Sequence, residues 1–201
     1  MTGPKGKTLS RAVDLPGLAR RGWELVEQCG GGALIGGAAV QAYGHDRATK
    51  DVDFAVSRTT AAAIERTLRD NKAESKPLKI GGLSLMTAEG AIDFIDRRHG
   101  PYALFEEAVG AAVTAATYVQ ADGVRVPVVP LEYLVALKMV GVRTQDEADL
   151  DFLLRRPELD YREARDVVTR HLGEVVARYL DRAARLAGRV DAPRDYEDDA
   201  S

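Results

Sequence analysis

Apolar positions along this chain switch between a helical and a strand-like period, and the helical one takes over towards the C-terminus. Leu18, Trp23, Leu25 and Val26 lie on one stripe of a predicted helix from Pro16 to about Cys29, which the Gly30-Gly31-Gly32 run stops. Ala33-Leu34-Ile35, bounded by glycines on both sides, predicts a short buried strand. Gly36-Gly37 then turns the chain into a short helix, Ala38 to Tyr43, ended by Gly44. Partial alternation from Lys50 to Val56 predicts a strand, and Thr59 or Thr60 can cap a helix through Leu68. Leu83–Met86 and Ala91–Ile95 predict two strands joined by a polar turn at Thr87–Gly90. A helix or loop covers Tyr102 to about Val113, and Val124–Val129 predicts a last strand.

Beyond that point every signal is helical. Pro130 suits the first position of a helix over Leu131–Val140. Thr144 with Glu147 reads as a capping box for a helix through Leu154, and Asp160 with Glu163 opens a long helical stretch to about Leu186. The expected fold class is α+β (α/β): a mixed central sheet with flanking helices, then a helical C-terminal region. The expected organisation is a flexible arm over 1–12, a core over 13–130, a helical region over 131–190 and an acidic, disordered tail over 191–201.

Composition narrows the class little: 45% apolar and 29% charged residues in 201 are ordinary for a globular chain. Charge is more useful. The last eleven residues carry a balance of −4 out of a net −3, so the rest of the chain is close to neutral. That is not the strongly basic surface expected of a protein gripping a long nucleic acid by its phosphates. A small ligand, a tRNA-like end or a protein acceptor remains open. No apolar run is long enough to span a bilayer, and no secretory h-region stands at the N-terminus, so no membrane partner is expected. Cys29 is the single cysteine, which points to the reducing cytoplasm.

The chemistry concentrates on acids. Asp51 and Asp53 are two apart on a predicted strand, so their side chains leave the same face. Two adjacent carboxylates repel unless a cation lies between them, and magnesium takes hard oxygen ligands that it often shares with substrate phosphates. Asp93 stands in mid-strand among Ala91, Ile92, Phe94 and Ile95. Gly36 and Gly37 let the backbone approach a ligand closely. Lys138 ends the apolar face of Leu131, Leu134 and Val135, and either snorkels to water or pairs with an anion; the acids and a bound triphosphate favour pairing. Arg47 is either a simple turn residue or a contact to phosphate or acceptor. Asp146 and Asp149 suit the first turns of a helix, with Asp149 facing inward to pair with Lys138 or Arg143. Neither a zinc spacing nor a P-loop nor a Gly-x-Ser-x-Gly pattern occurs.

Ile35-Gly36-Gly37-Ala38 followed by Gly44-His45-Asp46-Arg47-Ala48-Thr49-Lys50-Asp51-Val52-Asp53 resembles the core motif of the polymerase-beta-type nucleotidyltransferases. Within them it is most similar to the branch of the AbiEii-type toxins of bacterial toxin–antitoxin systems. Pro130-Leu131-Glu132 through Lys138, Arg143 and Asp146-x-x-Asp149-Leu150 resembles that branch's downstream segment; the likeness covers about residues 18–155, and 156–201 lie outside it. The resemblance implies a nucleotidyltransferase-type core and a transferase moving an NMP from an NTP to a hydroxyl of RNA, tRNA or protein. Asp51, Asp53 and Asp93 would hold magnesium (two ions, with manganese an alternative), and Asp93 would help activate the hydroxyl. Gly36, Gly37, Arg47, Thr49 and Lys138 would bind the nucleotide, and Arg143, Asp146 and Asp149 would support them. Gly37 departs from the serine found at that place in many relatives, which removes a hydroxyl donor but keeps the backbone donors. A cognate antitoxin is an implied partner. The rivals are a small-molecule adenylyltransferase of the antibiotic type and an inactive nucleotide-binding module.

Overall fold

A computed structural model describes residues 15–97, 100–115, 117–141 and 144–193. The chain divides into two compact units, Met1–Pro130 and Leu131–Ser201. The arm expected over 1–12 and the acidic tail from 194 onward lie outside the described residues, as does Arg143.

The first unit opens with α1 (Pro16–Cys29), with proline in its first turn, and closes it with Gly30 at φ 130°. β1 (Gly32–Ile35) follows, then α2 (Gly36–Ala42), β2 (Asp51–Val56) and α3 (Arg58–Asp70). The cap of α3 is Ser57, whose side chain accepts a hydrogen bond from the Thr60 amide, in place of the threonines expected from the sequence. Next come β3 (Ser75–Pro77), β4 (Leu83–Met86), β5 (Ala91–Ile95) and α4 (Tyr102–Ala115). The hairpin of β6 (Tyr118–Ala121) and β7 (Val124–Pro127) completes the unit.

Among the described residues five strands form one mixed sheet in the order β1-β2-β5-β4-β3, with only the central β2–β5 pair parallel. Register fixes which side chains share a face. Val52 pairs with Ile92 and Phe54 with Phe94, all four fully buried, and the two rings stack at 6.1 Å. α1 lies against this apolar face so closely that a Cβ on Gly22 would come within 2.4 Å of the Phe54 ring and 2.9 Å of Ile92. Glycine therefore occupies mid-helix, where it is otherwise a poor helix former. The acids stand on the opposite face, and beyond them Ala33 and Ala55 on that same face are buried again.

The described elements of the second unit are all helices: α5 (Leu131–Val140), α6 (Thr144–Leu154), α7 (Tyr161–Leu172) and α8 (Glu174–Leu186). Asp160 caps α7 by accepting from the Glu163 amide at 3.1 Å, as its spacing predicts. The single long helix expected to Leu186 is instead two. Gly173 at φ 89° breaks it, a left-handed conformation that glycine adopts without steric cost. Tyr161 and Arg165 of α7 both donate to Asp181 of α8, at 2.6 and 3.0 Å, and Arg165 also pairs with Glu174 at 2.7 Å. Burial, and then the bond to Asp181, hold the Tyr161 phenol far above its ordinary value. No helix among the described residues is long and apolar enough to cross a membrane.

Gly22→Val is expected to lower stability by about 1–3 kcal/mol through overpacking against rings that are already closely packed. Urea denaturation followed by circular dichroism measures it; an unchanged midpoint would show that α1 can lift from the sheet freely.

Candidate active site

The central parallel pair brings the predicted acids together. Asp53 is the register partner of Asp93, and Asp51 precedes Asp53 by two residues, so all three carboxylates leave one face of β2 and β5. Ser84 of β4 pairs with Asp93 from the other side, so its hydroxyl shares that face. Asp51 is exposed while Asp53 and Asp93 are half-buried. Burial pushes the Asp93 carboxyl above the usual range, the Ser84 hydroxyl pulls it down, and the Asp51 charge raises it further. One oxygen of Asp93, Oδ1, is buried with no hydrogen-bond partner. A buried acceptor is costly to leave unmet unless something outside the fold meets it.

The Gly36-Gly37 turn closes on this cluster. Gly36, at φ 66°, is placed so that a Cβ would lie 2.0 Å from Asp53 Oδ2. At Gly37 a Cβ would meet Thr49 Oγ1 at 2.9 Å and the Arg47 guanidinium at 3.2 Å. Thr49 Oγ1 donates to the Asp51 carbonyl at 3.1 Å, and the buried amide of Gln41 in α2 donates to the Arg47 carbonyl. Gly36, Gly37, Arg47, Thr49, Asp51, Asp53 and Asp93 thus form one neighbourhood in the first unit. Gln41 and Ser84 were not singled out from the sequence, since both are polar residues in apolar settings whose partners come from other elements.

Lys138, Asp146 and Asp149 belong to the second unit, and there the lysine does find an anion. Its ammonium lies 2.7 Å from Asp149 Oδ2 and 3.0 Å from Asp146 Oδ1. Lys138 is 9% exposed and Asp149 1%, so the ion pair is buried. Gly141 makes room for it: a Cβ there would meet Asp146 Oδ2 at 2.3 Å. The anions that Lys138 meets in the fold are therefore these two carboxylates of α6. The inward orientation expected of Asp149 is what brings it there.

Magnesium suits the three first-unit acids by donor chemistry, since all are hard carboxylate oxygens on one face and one of them is unsatisfied. Among the described residues no three His, Cys, Asp or Glu side chains are already gathered into a metal-ligating group.

No family model matches the sequence, and no curated protein matches it. The solved structures that resemble it include the following two. One is the antibiotic-resistance factor ANT(2'')-Ia, whose solution structure is described as revealing substrate-regulated conformation dynamics; it aligns with a TM-score of 0.49 and 10% identity over 87% of this chain and 97% of that one. The other is an antigenic nucleotidyltransferase-like protein from Paracoccidioides brasiliensis, with a TM-score of 0.49 and 18% identity over 88% of this chain and 95% of that one.

Asp93 carries a pH signature. A carboxyl whose folded pKa is raised costs stability above that pKa and nothing below its unfolded value of about 3.9. In EDTA, Asp93→Asn is expected to be more stable than the wild type at pH 7, with the gap closing as the pH falls towards 4. Urea midpoints across that range measure it, and a gap that widened on acidification would reverse the sign. Lys138→Met, which strands two carboxylates, is expected to cost about 3–5 kcal/mol with no nucleotide present. A cost near zero in the same titration would remove the ion pair from the fold's stability.

Proposed function

We propose that this protein is a magnesium-dependent nucleotidyltransferase that moves an NMP from an NTP to an acceptor hydroxyl. The observation that carries the reading is the in-register pairing of Asp53 with Asp93, with the Gly36 turn pressed against the Asp53 carboxylate. Such a face offers oxygen ligands where backbone can also approach closely, an arrangement suited to a metal-bound polyphosphate. The motif likeness to polymerase-beta-type enzymes supports the same conclusion.

In this reading Asp51, Asp53 and Asp93 hold magnesium. The metal supplies charge neutralisation for the transferring phosphoryl group. The acceptor oxygen attacks the α-phosphorus, forming a new P–O ester bond, while the bond to the bridging oxygen breaks and pyrophosphate leaves. Asp93 would take the hydroxyl proton, the role that the family resemblance gives it. Gly36 and Gly37 cradle the phosphates, and Arg47 with Thr49 borders them. Lys138 enters only through the family resemblance; its ammonium is shared by Asp146 and Asp149 within the second unit. The acceptor we favour is RNA, tRNA or a protein hydroxyl, with the chain acting as the toxin of a toxin–antitoxin pair and a cognate antitoxin as its partner.

Incubation with magnesium and each α-labelled NTP, with separate RNA, protein and aminoglycoside arms, is expected to label the RNA or the protein. Asp51→Asn combined with Asp53→Asn should lower the labelling by at least about 100-fold, the scale of a lost electrostatic catalytic group. Equal labelling by that double variant sinks the mechanism. Transfer to the aminoglycoside alone identifies a small-molecule adenylyltransferase, and nucleotide-dependent thermal stabilisation without pyrophosphate release identifies an inactive binding module.

A further inference from the structure

Of the large apolar side chains exposed among the described residues, half lie on α8 or just after it: Val175, Tyr179, Leu186 and Val190. Val175, Tyr179 and Leu186 are 62%, 64% and 77% exposed. With Arg182 they fall at positions 175, 179, 182 and 186, within an arc of about 60° at 100° per residue. The helix buries Ala177, Leu180, Asp181 and Ala184 on the opposite side against its own unit. α8 is thus amphipathic twice over, with one stripe covered and one bare. Arg182 has no hydrogen bond or ion pair among the described residues.

The intervals between those four positions are four, three and four residues, which read the same in both directions. A sequence with that property matches itself when two copies run antiparallel. About a two-fold axis level with the midpoint of Leu180 and Asp181, Val175 comes opposite Leu186 of the other copy, and Tyr179 opposite its Arg182. Each contact then occurs twice, as an isologous interface requires. The pairs are also chemically matched: an aliphatic side chain on an aliphatic one, and a guanidinium on a tyrosine face. An acidic partner would answer Arg182 but leave Val175 and Leu186 against charge. A second copy answers all four.

We infer that the bare face of α8 is a self-association surface on which two copies of this chain pair antiparallel. The seam spans about 16 Å of helix, shorter than an interface burying roughly 800 Å² per partner needs, so the pairing is concentration-dependent. It is independent of the proposed activity.

Sedimentation equilibrium of the full chain at tens to hundreds of micromolar is expected to show reversible dimers. Tyr179→Glu should weaken them at least tenfold while leaving the circular dichroism and thermal midpoint unchanged. Register is tested by cross-linking in a Cys29→Ser background. Val175→Cys mixed with Leu186→Cys should oxidise to a disulfide-linked dimer, and either variant alone should cross-link far less. A monomer at every concentration overturns the inference, as does a dimer unaffected by Tyr179→Glu. Cross-linking of Val175→Cys alone as fast as in the mixture overturns the antiparallel register.

Discussion

The alignment of β2 with β5 is the constraint from which the first unit follows. Two parallel strands in register place Val52, Phe54, Ile92 and Phe94 on one face and Asp51, Asp53 and Asp93 on the other. A slip of one residue would carry the phenylalanines into solvent and the carboxylates into the core, costing apolar burial and desolvating three charges at once. The stacked rings under α1 therefore hold the acids in place, although they touch nothing that could react. Stability on one side of the sheet and the proposed chemistry on the other are set by the same ladder of hydrogen bonds.

The second unit is organised by buried charge. Lys138 with Asp149 and Asp146, and Asp181 with Tyr161 and Arg165, each tie together helices that the apolar pattern alone would let slide. A buried charge tolerates few arrangements, because its partner must be within hydrogen-bond distance whichever way the helices pack. Arg189 adds a third tie, donating to the Leu154 and Leu159 carbonyls while lying over the Tyr161 ring. These contacts contribute specificity of packing as well as energy.

Where the sequence was legible, local chemistry and final position agreed. The glycines around Ala33-Leu34-Ile35 and the alternation through Asp51-Val52-Asp53-Phe54 announced β1 and β2, and Asp93 among apolar neighbours announced β5. β3 was invisible because Ser75, Lys76 and Pro77 are all exposed, so no burial pattern marks them. Gly173 was read through because a lone glycine in a helical pattern is common, and only its left-handed backbone shows the break. Gly22 gave no hint of its importance, which lies in Phe54, thirty-two residues away. For Lys138 the helical face was readable, and Asp149 was expected to pair with it or with Arg143, but Asp146 as a second anion was not. Which acid reaches an ammonium depends on how two helices pack, and periodicity within one helix is blind to that.

The turn at Gly36 has a consequence for how this protein can change over time. Any other residue there is opposed twice, by a backbone angle it adopts poorly and by the Asp53 carboxylate already occupying its side-chain space. A lineage that replaces Gly36 therefore moves the Asp53 carboxylate with the same change, so the two positions can vary only together.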